Sequence, residues 1–93
     1  MTEQNQEQAD TLLRFPCAFP IKVFGPHHEE FAEKVTAVVA QHVNNDTSMD
    51  VTTNASSQGR YLAVTITIEA QSKQQLDSIY LALNACEFVT MTL

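Results

Sequence analysis

The chain has 93 residues, which is enough for one domain and too few for two. Hydrophobic residues make up 44% and can form a core, but no uninterrupted apolar run approaches the roughly 18–20 residues of a membrane helix. Five Lys and Arg against eleven Asp and Glu give a formal charge of −6, the wrong sign for nucleic-acid binding by counterion release. Two cysteines do not make a disulfide scaffold. We therefore expect a cytoplasmic protein that binds neither nucleic acid nor membranes.

The first 14 residues differ in composition from the rest of the chain. Residues 1–13 hold Glu3, Glu7 and Asp10, no basic residue, and almost nothing apolar before Leu12. Such a composition does not offset the entropy lost on ordering, so we predict a disordered, acidic and Gln-rich tail over residues 1–14. The single domain is then expected over residues 15–93. The start of the chain also lacks the basic and apolar regions of a signal peptide.

The domain is predicted to begin with a strand and a helix. Phe19, Ile21 and Val23 alternate with more polar positions and predict a strand over residues 18–24. An apolar stripe at helical spacing follows and consists of Phe31, Val35, Val38, Val39 and His42. We expect Pro26 in the first turn of this helix, where a missing N–H costs nothing. Acidic residues suit the positive end of the helix dipole, and the chain places three there: Glu29, Glu30 and Glu33.

Alternation resumes after the helix. A weak second strand runs from Met49 to Ala55, a turn follows at residues 56–59, and the clearest strand covers residues 60–68. Ser72 and Gln75 have the spacing of a capping box and predict the start of a second helix. The stripe of that helix consists of Leu76, Ile79, Tyr80 and Leu83. Residues 88–93 predict a fourth strand, with Val89, Met91 and Leu93 on one side and Phe88, Thr90 and Thr92 on the other.

The predicted element order is βαββαβ. Right-handed crossovers then place both helices on the same face of an antiparallel four-stranded sheet with spatial order 4-1-3-2. This architecture is the ferredoxin-like α+β sandwich. The face of the sheet away from the helices, called the open face below, is predicted to be polar: Lys22, Thr52, Asn54, Tyr61, Thr65, Thr67, Thr90 and Thr92.

The same topology sorts the loops by end. The exit of the first strand, the hairpin between the middle strands and the start of the last strand share one rim of the sheet. That rim collects both glycines and several chemically active residues: Gly25, Gly59, His27, His28, Ser57, Arg60 and Cys86. They form either a small-ligand pocket or two tight turns that need glycine for backbone reasons. Cys17 falls at the opposite end from Cys86, so we predict two free thiols.

No catalytic or metal-binding motif stands out. The run from His27 to Glu30 lacks the i, i+3 or i+4 pair that helix-borne metal ligands use, and Glu29, Glu30 and Glu33 oppose a phosphate at the helix start. We therefore expect no metal and no cofactor. An RNA-recognition sheet would need stacking aromatics, and the third strand offers only Tyr61. The remaining alternative is a small enzyme that uses His42, or Cys86 with His27, at the rim of the sheet.

Four segments resemble the YbeD-like family of small conserved bacterial proteins of unassigned function. The segments are FPCAFPIKVFG (residues 15–25), VVAQH (38–42), SSQGRYLAVTITIEA (56–70) and FVTMTL (88–93). The resemblance implies a ferredoxin-like fold similar to ACT regulatory domains, which bind small effectors such as amino acids, and it suggests a connection with lipoate metabolism. It implies no catalytic residues.

We therefore expect a non-catalytic, ACT-like regulatory or binding module. The predicted ligand or partner contacts lie on the open face and at the rim: Lys22, Gly25, Ser57, Tyr61, Thr65 and Thr67. Residues 88–93 contain neither Lys nor Pro to block further strand pairing. We therefore predict a protein partner or a homodimer, through a sheet edge or the open face, and a possible small-molecule effector.

Overall fold

The computed structural model describes residues 14–44, 48–56 and 58–93. Four strands and two helices follow one another in the predicted order: β1 (Cys17–Pro26), α1 (Phe31–Ala40), β2 (Asp50–Ala55), β3 (Tyr61–Ala70), α2 (Lys73–Asn84) and β4 (Met91–Thr92). Nearly all of the predicted tail lies outside the described residues, as does Ser57 of the predicted contacts.

The strands form one antiparallel sheet in the order β2-β3-β1-β4, which confirms the predicted 4-1-3-2 arrangement. Its centre is the long ladder between β1 and β3, which runs from Cys17 opposite Ala70 to Pro26 opposite Tyr61. β2 pairs with the other side of β3, and β4 pairs with the other side of β1. The two crossovers therefore leave β2 and β4 as the edges.

One hydrophobic core lies between the helices and one face of the sheet. Alternate residues of β1 and β3 enter it, as the period of two in their sequences requires. Each helix contributes one apolar face, whose buried residues are three or four positions apart. The buried set is Ile21, Val23, Phe31, Val35, Val39, Leu62, Val64, Ile66, Ile68, Ala70, Leu76, Ile79 and Leu83. The open face is left without a covering layer among the described residues.

The first helix starts later than the sequence indicates. Pro26 is the last residue of β1, not part of the first helical turn, because it still pairs with Tyr61. His27 prolongs this contact through its N–H, which donates to the Arg60 carbonyl at 3.0 Å. A turn then leads to Phe31, and the helix ends at Ala40, so His42 follows the helix instead of closing its stripe. Of the three acidic residues expected at the helix start, only Glu33 lies in the first turn.

The second helix begins where the capping pattern predicts. The Ser72 hydroxyl accepts a hydrogen bond from the Gln75 N–H at 3.1 Å. The Gln75 side chain accepts from the N–H of Gln71, one residue before the position that a capping box uses. Its amide group also donates to the His42 carbonyl at 2.7 Å. Gln75 thereby joins the start of α2 to the segment that follows α1.

The last strand is shorter than predicted, and its faces are reversed. In the ladder with β1, Thr92 lies opposite Val23 and Met91 opposite Phe24, and Leu93 exchanges backbone hydrogen bonds with Lys22. Directly opposed residues share a face, so Thr92 lies on the helix side, where its hydroxyl contacts the Asn84 side chain at 3.3 Å. Met91 and Leu93 are 48% and 63% exposed. The assignment of Met91 to the core and of Thr92 to the open face was therefore wrong.

This reversal changes the chemistry of the open face. Phe24 of β1 has Met91 opposite it in β4 and Ala63 opposite it in β3. The open face therefore carries an apolar area towards its rim end, next to the predicted Lys22 and Thr65. Phe88, which the alternation of the sequence groups with Thr90 and Thr92, packs against the core.

Candidate functional site

The rim of the sheet holds a cavity of about 270 Å³. It lies where β1 ends and α1 begins, and the segment before β4 closes it. We call it the rim pocket, and its lining residues are Pro26, His27, His28, Glu30, Phe31, Lys34 and Phe88. Its position confirms that the exit of the first strand and the start of the last strand share one end of the sheet.

Two phenylalanines form the apolar wall of the rim pocket. The rings of Phe31 and Phe88 meet edge to face, with centroids 6.0 Å apart and an interplanar angle of 87°. Phe31 also packs directly over Gly25, and any side chain at Gly25 would overlap this ring and approach the Phe88 carbonyl to 2.7 Å. Gly25 is therefore needed for close packing beneath the pocket, and its backbone does not adopt a positive φ.

A lysine supplies the charge of the rim pocket. The Lys34 ammonium lies 5.5 Å from the centre of the Phe88 ring, within the range of a cation–π contact. It also lies 3.7 Å from a carboxylate oxygen of Glu30, one turn earlier. Both side chains of this pair are more than half exposed, and such pairs contribute at most about 1 kcal/mol. The carboxylate of a ligand can therefore compete with Glu30 for the ammonium group.

The two histidines of the pocket have defined hydrogen-bonding roles. His27 Nδ1 lies 2.8 Å from the Gly59 carbonyl, which only accepts, so Nδ1 carries the proton. His28 Nδ1 accepts from the Glu30 N–H at 3.2 Å, so this nitrogen carries none. In the neutral rings, Nε2 of His27 is then an acceptor and Nε2 of His28 a donor. The contact between His27 and Gly59 also attaches the hairpin turn to the pocket, and Gly59 has the expected positive φ of 70°.

The predicted contact residues divide between two places. Lys22 lies opposite Thr65 in the middle of the open face, and Thr67 is two residues further along β3. Tyr61 lies on the same face at the rim end, opposite Pro26, and its side chain is exposed. Gly25 lies beneath the pocket instead of lining it. As contacts, these residues remain predictions.

Sequence reasoning missed the aromatic and cationic lining of the rim pocket. The sequence places Phe31 in the core stripe, groups Phe88 with Thr90 and Thr92, and gives Lys34 no evident role. Lys34 is the only Lys or Arg between residues 23 and 59, and its position one turn after Glu30 is a usable signal. The contact between Lys34 and Phe88 joins residues 54 positions apart, which the sequence alone does not indicate.

The residues proposed for the enzyme alternative have other contacts. The Cys86 thiol donates to the Ala82 carbonyl at 3.3 Å, a hydrogen bond within the end of α2. The His42 carbonyl accepts from Gln75, and its side chain is half-buried. Both cysteines are free thiols, as predicted. Within the three described ranges, no three His, Cys, Asp or Glu side chains come close enough to hold a metal ion.

Solved structures with a similar fold include an ACT domain. The solution structure of protein HP0495 from H. pylori matches with a TM-score of 0.71 and 12% identity, over 87% of this chain and 85% of that one. The ACT domain from GTP pyrophosphokinase of Chlorobium tepidum, in solution, matches with a TM-score of 0.64 and 15% identity, over 83% of each chain. The fold is therefore ACT-like and ferredoxin-like, as expected. Among the described residues, no helix is long and apolar enough to cross a membrane.

Sequence comparison identifies the family. UPF0250 proteins of Chromobacterium violaceum and Neisseria gonorrhoeae are 43% and 40% identical to this chain, and each alignment covers the full length of this chain and of the relative. That of Paraburkholderia phytofirmans is 44% identical over 84 residues, which cover 90% of this chain and 94% of the relative. The family model described as "Protein of unknown function (DUF493)" matches residues 10–93. The chain belongs to this bacterial family, which confirms the resemblance to YbeD-like proteins.

Proposed function

We propose that this protein is a non-catalytic binding module whose rim pocket takes a small amphipathic carboxylate, with free amino acids as the first class to test. The observation that carries the proposal is the Lys34 ammonium held over the Phe88 ring at the wall of an apolar cavity. Small-molecule sites combine such an apolar lining with a few oriented polar groups. The likeness to an ACT domain supports a regulatory role, in which binding changes the behaviour of a partner protein.

The ligand class follows from the charges and hydrogen-bonding groups at the pocket. Lys34 favours an anionic group, and His28, whose Nδ1 accepts from the Glu30 N–H, adds a donor at Nε2. His27 offers an acceptor at Nε2, which suits an ammonium or amide N–H of the ligand. The edge of Phe31 and the ring of Phe88 suit a short apolar side chain. A cavity of about 270 Å³ limits the ligand to the size of a small metabolite.

The catalytic alternative has no comparable support. The Cys86 thiol donates a hydrogen bond to the Ala82 carbonyl and not to a histidine. A nucleophile needs a base within about 2.6–3.2 Å to be activated. We therefore propose that the pocket binds its ligand without converting it, and that the protein does so in the cytoplasm, where two free thiols persist.

The test is a titration of the labelled full-length protein, followed by two-dimensional ¹H–¹⁵N NMR. The ligands are the free amino acids, short monocarboxylic acids, and the corresponding primary amides as uncharged controls. Octanoic and lipoic acids belong in the same series, because the family resemblance suggests a connection with lipoate metabolism. We expect a carboxylate to shift the signals of residues 26–34 and Phe88, and its amide to bind at least about tenfold more weakly.

Two lysine variants decide whether the pocket is the site. Lys34→Gln removes the pocket cation, and we expect it to weaken carboxylate binding by about tenfold or more. Lys73→Gln is the matched control, because Lys73 is an exposed lysine at the start of α2 and does not line the rim pocket. Equal loss in both variants, or no carboxylate that shifts the pocket signals, would contradict the proposal.

A further inference from the structure

The free edge of β2 presents a regular row of backbone groups. The Ser56 N–H donates to the Tyr61 carbonyl at 2.9 Å, which fixes the phase of the ladder between β2 and β3. In an antiparallel ladder, successive residues direct their backbone groups to opposite sides. Thr52 and Asn54 therefore bond to β3, while Val51, Thr53 and Ala55 direct their N–H and C=O groups away from the sheet. No described strand lies on that side.

An apolar groove accompanies this edge on the helix side of the sheet. Val51 lies opposite the buried Ile66, yet it is 40% exposed, because α1 does not reach over the edge strand. The space between them has a volume of about 450 Å³. Small residues of α1 dominate its lining, which consists of Ala32, Glu33, Thr36, Ala37, Ala40 and Val51. The edge thus combines unpaired backbone groups with an uncovered apolar surface.

The strand is complementary to itself in one register. A two-fold axis perpendicular to the sheet keeps the helices of two copies on the same side and makes the new ladder antiparallel. With this axis at Thr53, the three outward-facing residues of each copy form hydrogen-bonded pairs. Val51 then lies opposite Ala55 of the second copy, and Thr53 lies opposite its own equivalent. The one charged residue of the strand, Asp50, falls opposite Ser56, so like charges do not meet.

We propose that two copies of this chain associate through β2 in this register and form a continuous eight-stranded sheet. Six backbone hydrogen bonds would join the copies, two from each of the three pairs. The two grooves would meet across the seam, where Val51 and Ala55 of each copy share the helix side. The edge at β4 offers only two paired residues, whereas β2 offers six. The strand also lacks Lys and Pro, which natural edge strands use to prevent such pairing.

The decisive experiment is a charge exchange at Thr53, because this residue faces itself in the proposed pair. Sedimentation velocity of the full chain, up to about 1 mM, should show a dimer. At concentrations at which the unchanged protein is dimeric, Thr53→Lys and Thr53→Glu should each be monomeric. An equimolar mixture of the two variants should form dimers again. Ser78→Lys, at an exposed position of α2, is the control and should stay dimeric.

Two results would overturn the proposal. One is an unchanged protein that is monomeric throughout the concentration range. The other is a dimer that persists in both Thr53 variants, since it would have to use another surface. Circular dichroism of each variant establishes that it is folded, and the mixture of Thr53→Lys with Thr53→Glu provides the measurement if either variant alone is less stable. Recovery of dimers only in that mixture identifies both the partner and the register.

Discussion

Replacement of Gly25 by alanine tests the packing on which both the fold and the rim pocket depend. Gly25 is fully enclosed in β1, beneath the Phe31 ring and beside the Phe88 backbone. A Cβ atom at this position would overlap the ring and lie 2.7 Å from the Phe88 carbonyl oxygen. The ring can rotate or shift, whereas the carbonyl belongs to the backbone and moves less readily. The substitution therefore inserts a methyl group into a site without room for it.

The expected loss of stability follows from two opposing effects. Overpacking of a core costs about 1–3 kcal/mol. Because the φ angle of Gly25 is not positive, alanine can adopt its backbone conformation, and the smaller entropy of the unfolded chain returns about 0.4–1 kcal/mol. We expect Gly25→Ala to lower the free energy of unfolding by about 1–2 kcal/mol. For a domain of this size, the melting temperature should fall by about 4–8 °C for each kcal/mol.

Urea denaturation in a double-mutant cycle with Phe31→Leu separates this contact from other effects. Leucine is shorter than phenylalanine, so the cost of Gly25→Ala should be smaller in the Phe31→Leu background, with a coupling of at least about 0.5 kcal/mol. Gly59→Ala is the control, because a Cβ there meets only His27 Nδ1 at 3.7 Å, and its cost arises from the φ of 70°. The stability losses of Gly59→Ala and Phe31→Leu should therefore be additive. A Gly25→Ala protein at least as stable as the parent would refute the reasoning.

Two further predictions concern the second helix. In urea denaturation, Ile79→Ala should lower the free energy of unfolding by about 2–4 kcal/mol, because Ile79 is fully buried. Leu81→Ala is the control: Leu81 is 73% exposed, and its substitution should change the free energy of unfolding by less than about 0.5 kcal/mol. Burial raises the pKa of Tyr80, whose hydroxyl donates to the Leu93 carbonyl at 2.8 Å. Above about pH 10 the unfolded chain loses this proton more readily than the folded one, so stability should fall as the pH rises. Tyr80→Phe should reduce that dependence, and an equal slope in the variant and the parent would contradict the prediction.

The sequence was sufficient for the elements and for the order of the strands. β3 alternates without interruption between residues 61 and 68, and the two helices have clear apolar stripes, so each element had one interpretation. Right-handed crossovers then left one topology. The start of α1 was less certain, because Pro26 suits both a first helical turn and the end of a strand. The pairing of Pro26 with Tyr61 decided it, and that pairing is long-range.

The error in β4 has a specific physical origin. Residues 88–93 alternate, but each of the two alternating sets contains apolar residues, so the pattern does not say which set faces the core. Phe88 packs against Phe31 before the strand begins, and the ladder then places Thr92 opposite Val23. A shift of one residue in register exchanges the two faces of a strand. The same shift concealed the contact between Lys34 and Phe88, and with it the cationic wall of the rim pocket.

Helix α1 contributes to both proposed sites through different faces. Phe31, Val35 and Val39 hold it on the sheet. Lys34 lies beside the rim pocket, and Ala37 lies in the groove along β2. Because the two surfaces use different residues, Lys34→Gln changes the charge of the pocket without touching the edge of β2, and Thr53→Lys changes the edge without entering the pocket. Ligand binding and self-association can therefore be tested separately, and failure of one proposal leaves the other standing.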